Sequence, residues 1–554
     1  LNMHLYPSNK MKFYSLGLLL SLLLAAVVLI FTASSAAAAG MCVSVADDSA
    51  PVDPEPAANQ NAVAPNCRYG VSASQQGATD IEEMKIGWLV SFIASEPSWL
   101  PANVAHTPMV RLKQDRDPTT NSRLPTYTAR PAFTENGLGR LVRANPGAVW
   151  IIGNEVDRFQ WQDDILPDLY ATAYHDAYHF IKQIDPTAQI AVSALVLISP
   201  GRLQYLDRAL AAYKQKYGTQ MPVDVWTFHA YIFPERKEPY NGQGLEGIYA
   251  SIAVGTDPDL AIMAPSPQRP LAEQIELCKR DDYICVHQHD NMELFRKQVV
   301  DMRTWMKVNG YQNKPLLLTE WSLLHTYVQL GGGDCGIKDE FGNCFVPGRV
   351  TNFLEASVEY LESAIATDLG YPLDNYRLVQ QWAWFALDNL GDNQFTEGNP
   401  SLMIDPSSGN LTQMGRKYRD LIQETTTQPN LVIDTTYTDL VNVAPSTSGT
   451  AQLKVSIRNN GNSKTTVPFD VIFYSDSGHT QEIGRATIPA GIDGCAVVPA
   501  FAEVEWQNLN EGVHRYWVVA DKDGVASPGD LSNRSGSSVV LVNPVTTFLP
   551  LMER

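Results

Sequence analysis

The chain has 554 residues, a formal charge of −19 and seven cysteines. That length exceeds one ordinary hydrophobic core, so at least two globular units are expected. The acid excess argues against a nucleic-acid partner, and it fits a neutral or cationic substrate better than a phosphorylated one.

Near the N-terminus, Lys10 and Lys12 precede the apolar run "FYSLGLLLSLLLAAVVLIFTASSAAAAG". Basic residues, an apolar stretch and a small-residue end are the parts of an export signal, with cleavage expected near Ala37–Gly40. The run is longer than most signal cores, so an uncleaved membrane anchor is the alternative. Residues 1–40 thus read as a signal peptide. Residues 41–66, rich in Ala, Pro, Asp and Asn without hydrophobic period, read as a flexible leader. An exported chain, secreted or held at the cell surface, can keep disulfides. Cys278 with Cys285, and Cys335 with Cys344, are each close enough to pin a loop. Cys42 could pair with Cys67, leaving Cys495 alone. No C-x-x-C spacing points to structural zinc.

From Cys67 onward, short apolar runs alternate with helical patterns. The runs "RYGVSA", "KIGWLVSF", "MVRLK", "AVWIIGN", "IAVSALV", "VDVWTFHAYIF", "PLLLTEW" and "RLVQQWAWFAL" read as strands. "LPDLYATAYHDAYHFIKQID" is the clearest helix between them. Eight strands separated by helices predict an α/β fold, a (β/α)₈ TIM barrel over residues 67–427. No Gly-rich phosphate turn follows the first strand, which weakens a dinucleotide-binding alternative. Residues 234–292 and 323–350 form long connections after strands six and seven, each with one close cysteine pair. In a barrel both would emerge at the C-terminal face, where active sites are built. After "TTTQPN" the pattern shifts to short alternating strands broken by Gly, Asn and Asp turns. Residues 430–543 therefore predict an antiparallel, Ig-like β-sandwich, followed by a tail over 544–554. Because the sandwich should bury its own core, a chain ending near Thr427 is expected to fold without it.

"WIIGNEVDR" places Glu155 at the end of the fourth strand, and "LLLTEW" places Glu320 at the end of the seventh. Strands four and seven lie across a barrel from each other, so both carboxylates can enter one cleft. Two such carboxylates about 5–5.5 Å apart suit cleavage of a glycosidic bond with retention. Glu155 would then be protonated as the acid and Glu320 ionised as the nucleophile. Asn154 can bond a sugar hydroxyl. His229 and Tyr231, two apart, share one strand face. The bland reading of both is a pair of satisfied core polar groups. Trp382 and Trp384 also share a face, and Trp384, nearer the strand's end, can stack on a sugar ring. Trp88 can line the cleft or pack the core. Arg111 can stabilise the nucleophile's charge or form a surface ion pair. Asp157 reads as a partner for Arg158 or a helix cap rather than a third acid. His175 and His179 are i,i+4 on a helix, but no base-forming Glu accompanies them and that helix should pack outside the barrel. His287 and His289 in "VHQH" earn the same discount. No metal or cofactor is expected.

With these residues the chain resembles the clan A glycoside hydrolases, through Asn154-Glu155 after strand four and Glu320 after strand seven. The likeness extends to "FHAYIF" and "WAWF" and covers about residues 68–425. Within the clan, "GNEVD" beside "KIGWLVSF" is most similar to the alkali-sensitive-linkage-type barrels that cleave β-1,3-glucans, although Val156 stands where those carry proline. The resemblance implies Glu155 as acid/base, Glu320 as nucleophile, His229 and Tyr231 as orienting groups and Trp384 as a sugar platform. "VSIRNNGNS" and "VVADKDG" resemble CARDB-type adhesion modules. The leading expectation is a secreted retaining hydrolase of a β-linked polysaccharide, with its C-terminal module as the candidate for attachment to glycan or cell surface. The rival from another class is a surface protein whose barrel binds glycan without cutting it. A metal-dependent hydrolase is third, for want of a ligand cluster.

Overall fold

The computed structural model describes residues 64–73, 81–159, 162–237, 249–324, 335, 337–388, 401–405, 408–444, 447–529 and 531–544. The expected export signal, most of the leader and Cys42 lie outside these residues. Among the described residues no helix is long and apolar enough to cross a membrane.

Up to residue 427 the strands are β1 (Asn66–Ala73), β2 (Ile86–Ser91), β3 (Ala105–Thr107), β4 (Met109–Arg116), β5 (Arg123–Arg130), β6 (Val149–Ile152), β7 (Gln189–Val192), β8 (Trp226–His229), β9 (Glu235–Arg236), β10 (Ala250–Ser251), β11 (Leu316–Trp321) and β12 (Gln381–Phe385). One sheet runs β3-β2-β1-β12-β11-β8, parallel throughout. A second runs β5-β4-β6-β7, with β4, β6 and β7 parallel. The two sheets meet at a parallel bridge between Ala191 and Val225 and at a bond from Met109 N–H to the Ile93 carbonyl. All eight predicted strands are present. Strand β5, antiparallel to β4, is an addition the apolar pattern did not signal, because its exposed face is polar.

Alternation along these strands separates two cores. Trp88, Val90, Met109, Ile151, Ala191, Leu317 and Ala383 pack together on the inner faces. Leu89, Ile152, Leu318, Trp321, Trp382 and Trp384 face the other way, into a cluster with helical residues such as Tyr170, Tyr174, Phe295 and Phe353. The helix Pro167–Ile184 meets them through Tyr170, Tyr174, Ala177 and Ile181, spaced three or four apart. Ser199, Asn291 and Thr412 cap three later helices by accepting backbone N–H bonds.

After residue 430 the strands are β13 (Leu431–Thr436), β14 (Asp439–Val441), β15 (Gly449–Asn459), β16 (Phe469–Tyr474), β17 (Glu482–Ile488), β18 (Ala500–Leu509), β19 (Gly512–Ala520) and β20 (Ser535–Val542). They form sheets of order β13-β15-β18 and β14-β20-β19-β16-β17 around Leu453, Val455, Val471, Phe473, Tyr516 and Val518. The β14–β20 pair is parallel, so the expected all-antiparallel arrangement fails at that edge.

The two regions are joined at the N-terminal edge of the parallel strands. Cys67, at the start of β1, is bonded to Cys495, not to Cys42. Cys495 and Val497 belong to the same apolar cluster as Trp88 and Leu317, and both are buried. Gly494 must be glycine here, since a Cβ would come within 2.6 Å of the Cys67 sulfur. Arg68 reinforces the joint: it pairs with Asp374 at 2.8 Å, both buried, and Asn460 donates to the Leu373 carbonyl at 2.8 Å. A loop of the second region therefore supplies part of the first region's inner core, which weighs against a barrel that folds without it. The other two expected disulfides, Cys278–Cys285 and Cys335–Cys344, are formed.

A chain ending at Thr427 should expose this apolar floor and lose solubility or thermal stability, read by yield and a melting curve. Cys495→Ser alone should cost about 2–5 kcal/mol in denaturant unfolding; an unchanged midpoint for both variants would show that the joint contributes nothing.

Candidate active site

The site is built on the C-terminal ends of β6, β8 and β11. Gly153 ends β6 with φ +94°, and a Cβ there would lie 2.6 Å from Val156. The chain then turns sharply, with Glu155 itself at φ +43°, a conformation costly for a non-glycine residue. The Glu155 N–H is fixed to the Ala194 carbonyl at 3.0 Å. This turn, rather than simple extension of the strand, delivers the Glu155 side chain.

Glu155, His229 and Glu320 lie together: an oxygen of each carboxylate and a ring nitrogen are all within 4.8 Å of one another. His229 stands between the acids, with Nδ1 3.1 Å from Glu155 Oε1 and Nε2 3.4 Å from Glu320 Oε1. Tyr231 donates its hydroxyl to Glu320 Oε2 at 2.7 Å. Arg158 donates Nη1 to Glu155 Oε2 at 2.9 Å. All three groups around the acids come from positions that the fold brings to one edge.

Burial would push Glu155 up, but the Arg158 charge and the hydrogen bond and charge of His229 outweigh it and hold the carboxyl at about 2. Glu320 has no such cation in direct contact. Burial, helped by the Glu155 charge, pushes it up to about 7 against the pull of His229 and the Tyr231 bond. Burial disfavours the charged His229 ring, yet the Glu320 charge and the Glu155 bond raise its pKa. The two shifts run in opposite directions: Glu155 is held toward its ionised form and Glu320 toward its protonated one.

Asn154 lies beside this cluster. Its N–H donates to Asp163 Oδ2 at 2.8 Å and its side-chain amide to Gln162 Oε1 at 3.2 Å. Its side-chain oxygen is buried with no partner among the described residues, an acceptor that a hydroxyl donor could meet.

Three expected site residues are placed elsewhere. Trp384 is fully buried, its indole N–H bonded to the Ser401 carbonyl at 2.7 Å and its ring edge-on to Trp321. It fills the sheet–helix layer and offers no face to a sugar, because the strand's alternation turns both Trp382 and Trp384 outward. The next residue, Phe385, points the other way, 6.3 Å from the Tyr231 ring and half-buried. Trp88 packs the inner core under Gly70, where a Cβ would meet its ring at 2.5 Å. Arg111 does not reach Glu320: it pairs with Asp163 at 2.7 Å and with Gln162 at 2.8 Å. Arg111 therefore acts on the residues that hold Asn154.

Asp157 is also not the partner of Arg158. It pairs with the buried Arg202, which in turn lies 2.9 Å from Glu235. The i,i+3 spacing of Glu155 and Arg158 was the available signal for the true pairing.

Two clusters among the described residues have metal-ligand composition. In one, Cys285 is in a disulfide and Glu340 is occupied by the Val286 and His287 N–H groups. The other is the Glu155–His229–Glu320 set, where the Arg158 guanidinium already supplies the positive charge that a cation would bring. His175 stacks on Tyr217 and bonds Tyr213 at 2.9 Å. His289 bonds the Ile232 carbonyl at 2.8 Å and is held as a neutral ring by burial, its pKa lowered to about 4.

No family model and no curated protein matches the chain. Solved structures do. A β-glucuronidase from Bacteroides uniformis is 11% identical over 87% of this chain and 46% of its own, with a TM-score of 0.33. The chain thus spans about half the length of that enzyme. A GH128 endo-β-1,3-glucanase from Lentinula edodes is 10% identical over 63% of this chain and 98% of its own, TM-score 0.33. A CARDB domain from Pyrococcus furiosus is 18% identical over 21% of this chain and 96% of its own, TM-score 0.17.

The site's proton affinities have a stability consequence. Glu320 binds its proton more tightly folded than unfolded, so its contribution is full below about pH 4.5 and is lost as pH rises through about 7. Glu155 works oppositely: its contribution is present above its unfolded pKa and is lost as pH falls toward about 2. Glu320→Gln should therefore gain about 1–3 kcal/mol over wild type at pH 8 relative to pH 4.5. Urea unfolding at both pH values reads the difference, and an equal effect at both would place the proton elsewhere.

Proposed function

We propose that the chain is a retaining glycoside hydrolase acting on a β-linked polysaccharide, with the eight parallel strands forming a (β/α)₈ barrel. The observation that carries the reading is the pair of carboxylates, with oxygens within 4.8 Å and one histidine between them, at the C-terminal ends of two parallel strands. That spacing suits direct attack on the anomeric carbon; inversion needs about 6.5–9.5 Å, room for a water. The resemblance read from the sequence supports Glu320 as nucleophile and Glu155 as acid/base, and β-1,3-glucan is the substrate it favours. Three disulfides support export from the cytosol, to a secreted or surface location.

These roles require a proton to move. When substrate enters and the Arg158 contact opens, Glu155 becomes the better base. Glu320 then gives its proton to His229 Nε2 while Nδ1–H passes to Glu155 Oε1. The Glu320 carboxylate, still held by Tyr231, attacks the anomeric carbon, and Glu155 protonates the departing oxygen. The glycosyl ester is then hydrolysed by water, whose proton returns to Glu155. The open Asn154 oxygen accepts a sugar hydroxyl.

Product NMR should show retained anomeric configuration. Glu320→Ala should abolish turnover. Glu155→Ala should lose about 10²–10⁴-fold on the natural polymer and far less on an activated aryl glycoside, whose leaving group needs no proton. An inverted product, or unchanged rates in both variants, would overturn the mechanism, and glycan binding without turnover would favour the adhesion reading.

Arg158→Gln tests the proton shift. Arg158 lowers both carboxyl pKa values, so its loss should move both limbs of the pH–rate bell to higher pH. The profile to read is that of kcat/KM, which reports the free enzyme; limbs that stay in place there would show that Arg158 does not set these proton affinities.

A further inference from the structure

A cavity of about 270 Å³ opens beside the segment that follows Glu155. Its wall includes Arg123, Phe159, Leu166, Arg236, Lys237 and Val254. It adjoins the catalytic turn through backbone: Arg158 forms an antiparallel bridge with Ala253, and the Phe159 N–H donates to Ser251 Oγ at 3.1 Å.

The charge of this wall is positive in a chain of net −19. Arg116 and Arg123 share one carboxylate, Asp164, and both lie over the Phe159 ring. Arg236 has no ion-pair partner among the described residues; its guanidinium sits 5.7 Å from the Tyr249 ring centre. Lys237 reaches Asp259 at 3.2 Å, but both side chains are exposed, so that pair screens little. Of the described acids, the one next to Arg236 in sequence does not compensate it. Glu235 points to the opposite side of its strand, and with Asp157 it is turned to the buried Arg202. The helix Pro167–Ile184 adds to the positive field: it begins at this wall, and its N-cap, Leu166, offers no side-chain acceptor to the first free N–H groups.

The remaining surface is apolar, from Phe159, Leu166 and Val254. A floor of this kind with an uncompensated guanidinium on its rim fits a ring with an apolar face and an anionic substituent. Its volume lies just below the usual range of about 300–1,000 Å³ for ligand pockets, which limits the occupant to a single ring.

We propose that this cavity binds one carboxylate-bearing sugar, a uronic acid unit, with Arg236 as its principal charge partner. That the unit belongs to the polymer cut at Glu155 and Glu320 rests on the hydrolase reading; the binding does not.

The probes are sodium D-glucuronate, D-glucose and sodium acetate, titrated into the full chain and followed by calorimetry and protein-observed NMR. Glucuronate should bind, with shifts at Arg236 and Phe159, and should weaken at least tenfold between about 0.02 M and 0.3 M salt. Arg236→Gln should weaken it at least tenfold while its melting temperature and its hydrolysis of neutral glucan stay at wild-type level. Glucose binding as well as glucuronate would overturn the charge requirement, and acetate binding as well would reduce the site to a simple anion site and overturn the sugar. Should Arg236→Gln fail to fold, the salt dependence and the glucose comparison on wild type still decide. Because binding is read without turnover, a chain that binds glucuronate but hydrolyses nothing would defeat the hydrolase reading alone. A hydrolase indifferent to glucuronate would defeat this proposal alone.

Discussion

Two carboxylates cannot be buried side by side without a cation or a proton for each charge, and the site is organised around that constraint. Glu155 is 2% exposed and Glu320 5%. Isolated, either charge would be expelled or neutralised on burial. The structure answers them differently: a guanidinium and an imidazole in contact with Glu155, and for Glu320 a phenol and a raised proton affinity. The asymmetry is what makes chemistry available, because a pair with matched affinities would share one proton with no preferred direction. Arg158 is bonded to Glu155 and not to Glu320, so its charge bears unequally on the two acids.

The opposite edge of the parallel strands answers a different problem. Inner residues such as Trp88 and Leu317 need cover at the N-terminal edge, and the loop around Cys495 and Val497 provides it. The covalent tie spans 428 residues, so it closes a very long loop of the unfolded chain. The second region is thus part of the core that holds the site's strands, whatever else its outer sheets do. A fold-level likeness to adhesion modules could not have shown this, because the contact is made by a connecting loop rather than by the sandwich.

How much of this was legible in the sequence follows the range of each interaction. The eight parallel strands are apolar runs, and local periodicity finds them. Glu155, Glu320, His229 and Tyr231 were legible because each stands at or just past a strand's end, where position implies a common edge. The misplacement of Trp384 came from parity: two tryptophans on one strand share a face, but nothing local says whether that face looks inward or toward the helices. Phe385, of the opposite parity, faces Tyr231 instead. The Cys67–Cys495 bond was illegible for the same reason that it is effective, since nothing near either cysteine in sequence names its partner. The Arg158–Glu155 pair was not read from the sequence, because Asp157 is the nearer neighbour of Arg158 along the chain.

Asp157 is withheld from Arg158 by a buried network, and that network explains why the stretch "NEVDR" carries so many charges. Arg202, wholly buried, faces Asp157 and Glu235 and also donates to the Ser251 carbonyl. Glu235 accepts from the Ile262 N–H at 2.7 Å, and the Asp157 carbonyl accepts from the Val254 N–H at 2.9 Å. One guanidinium therefore fastens the long connection after β8 to the turn after β6. Two carboxylates on one guanidinium leave an excess negative charge, and burial raises the proton affinity of both acids. The arrangement is weak evidence for stability in itself. Its effect is positional: with Asp157 drawn toward the helices, Arg158 is left to turn back three residues to Glu155, and its backbone is clamped by Ala253. Each charged residue of the stretch thus has a separate destination: Glu155 enters the site, Asp157 turns to Arg202, and Arg158 turns back onto Glu155.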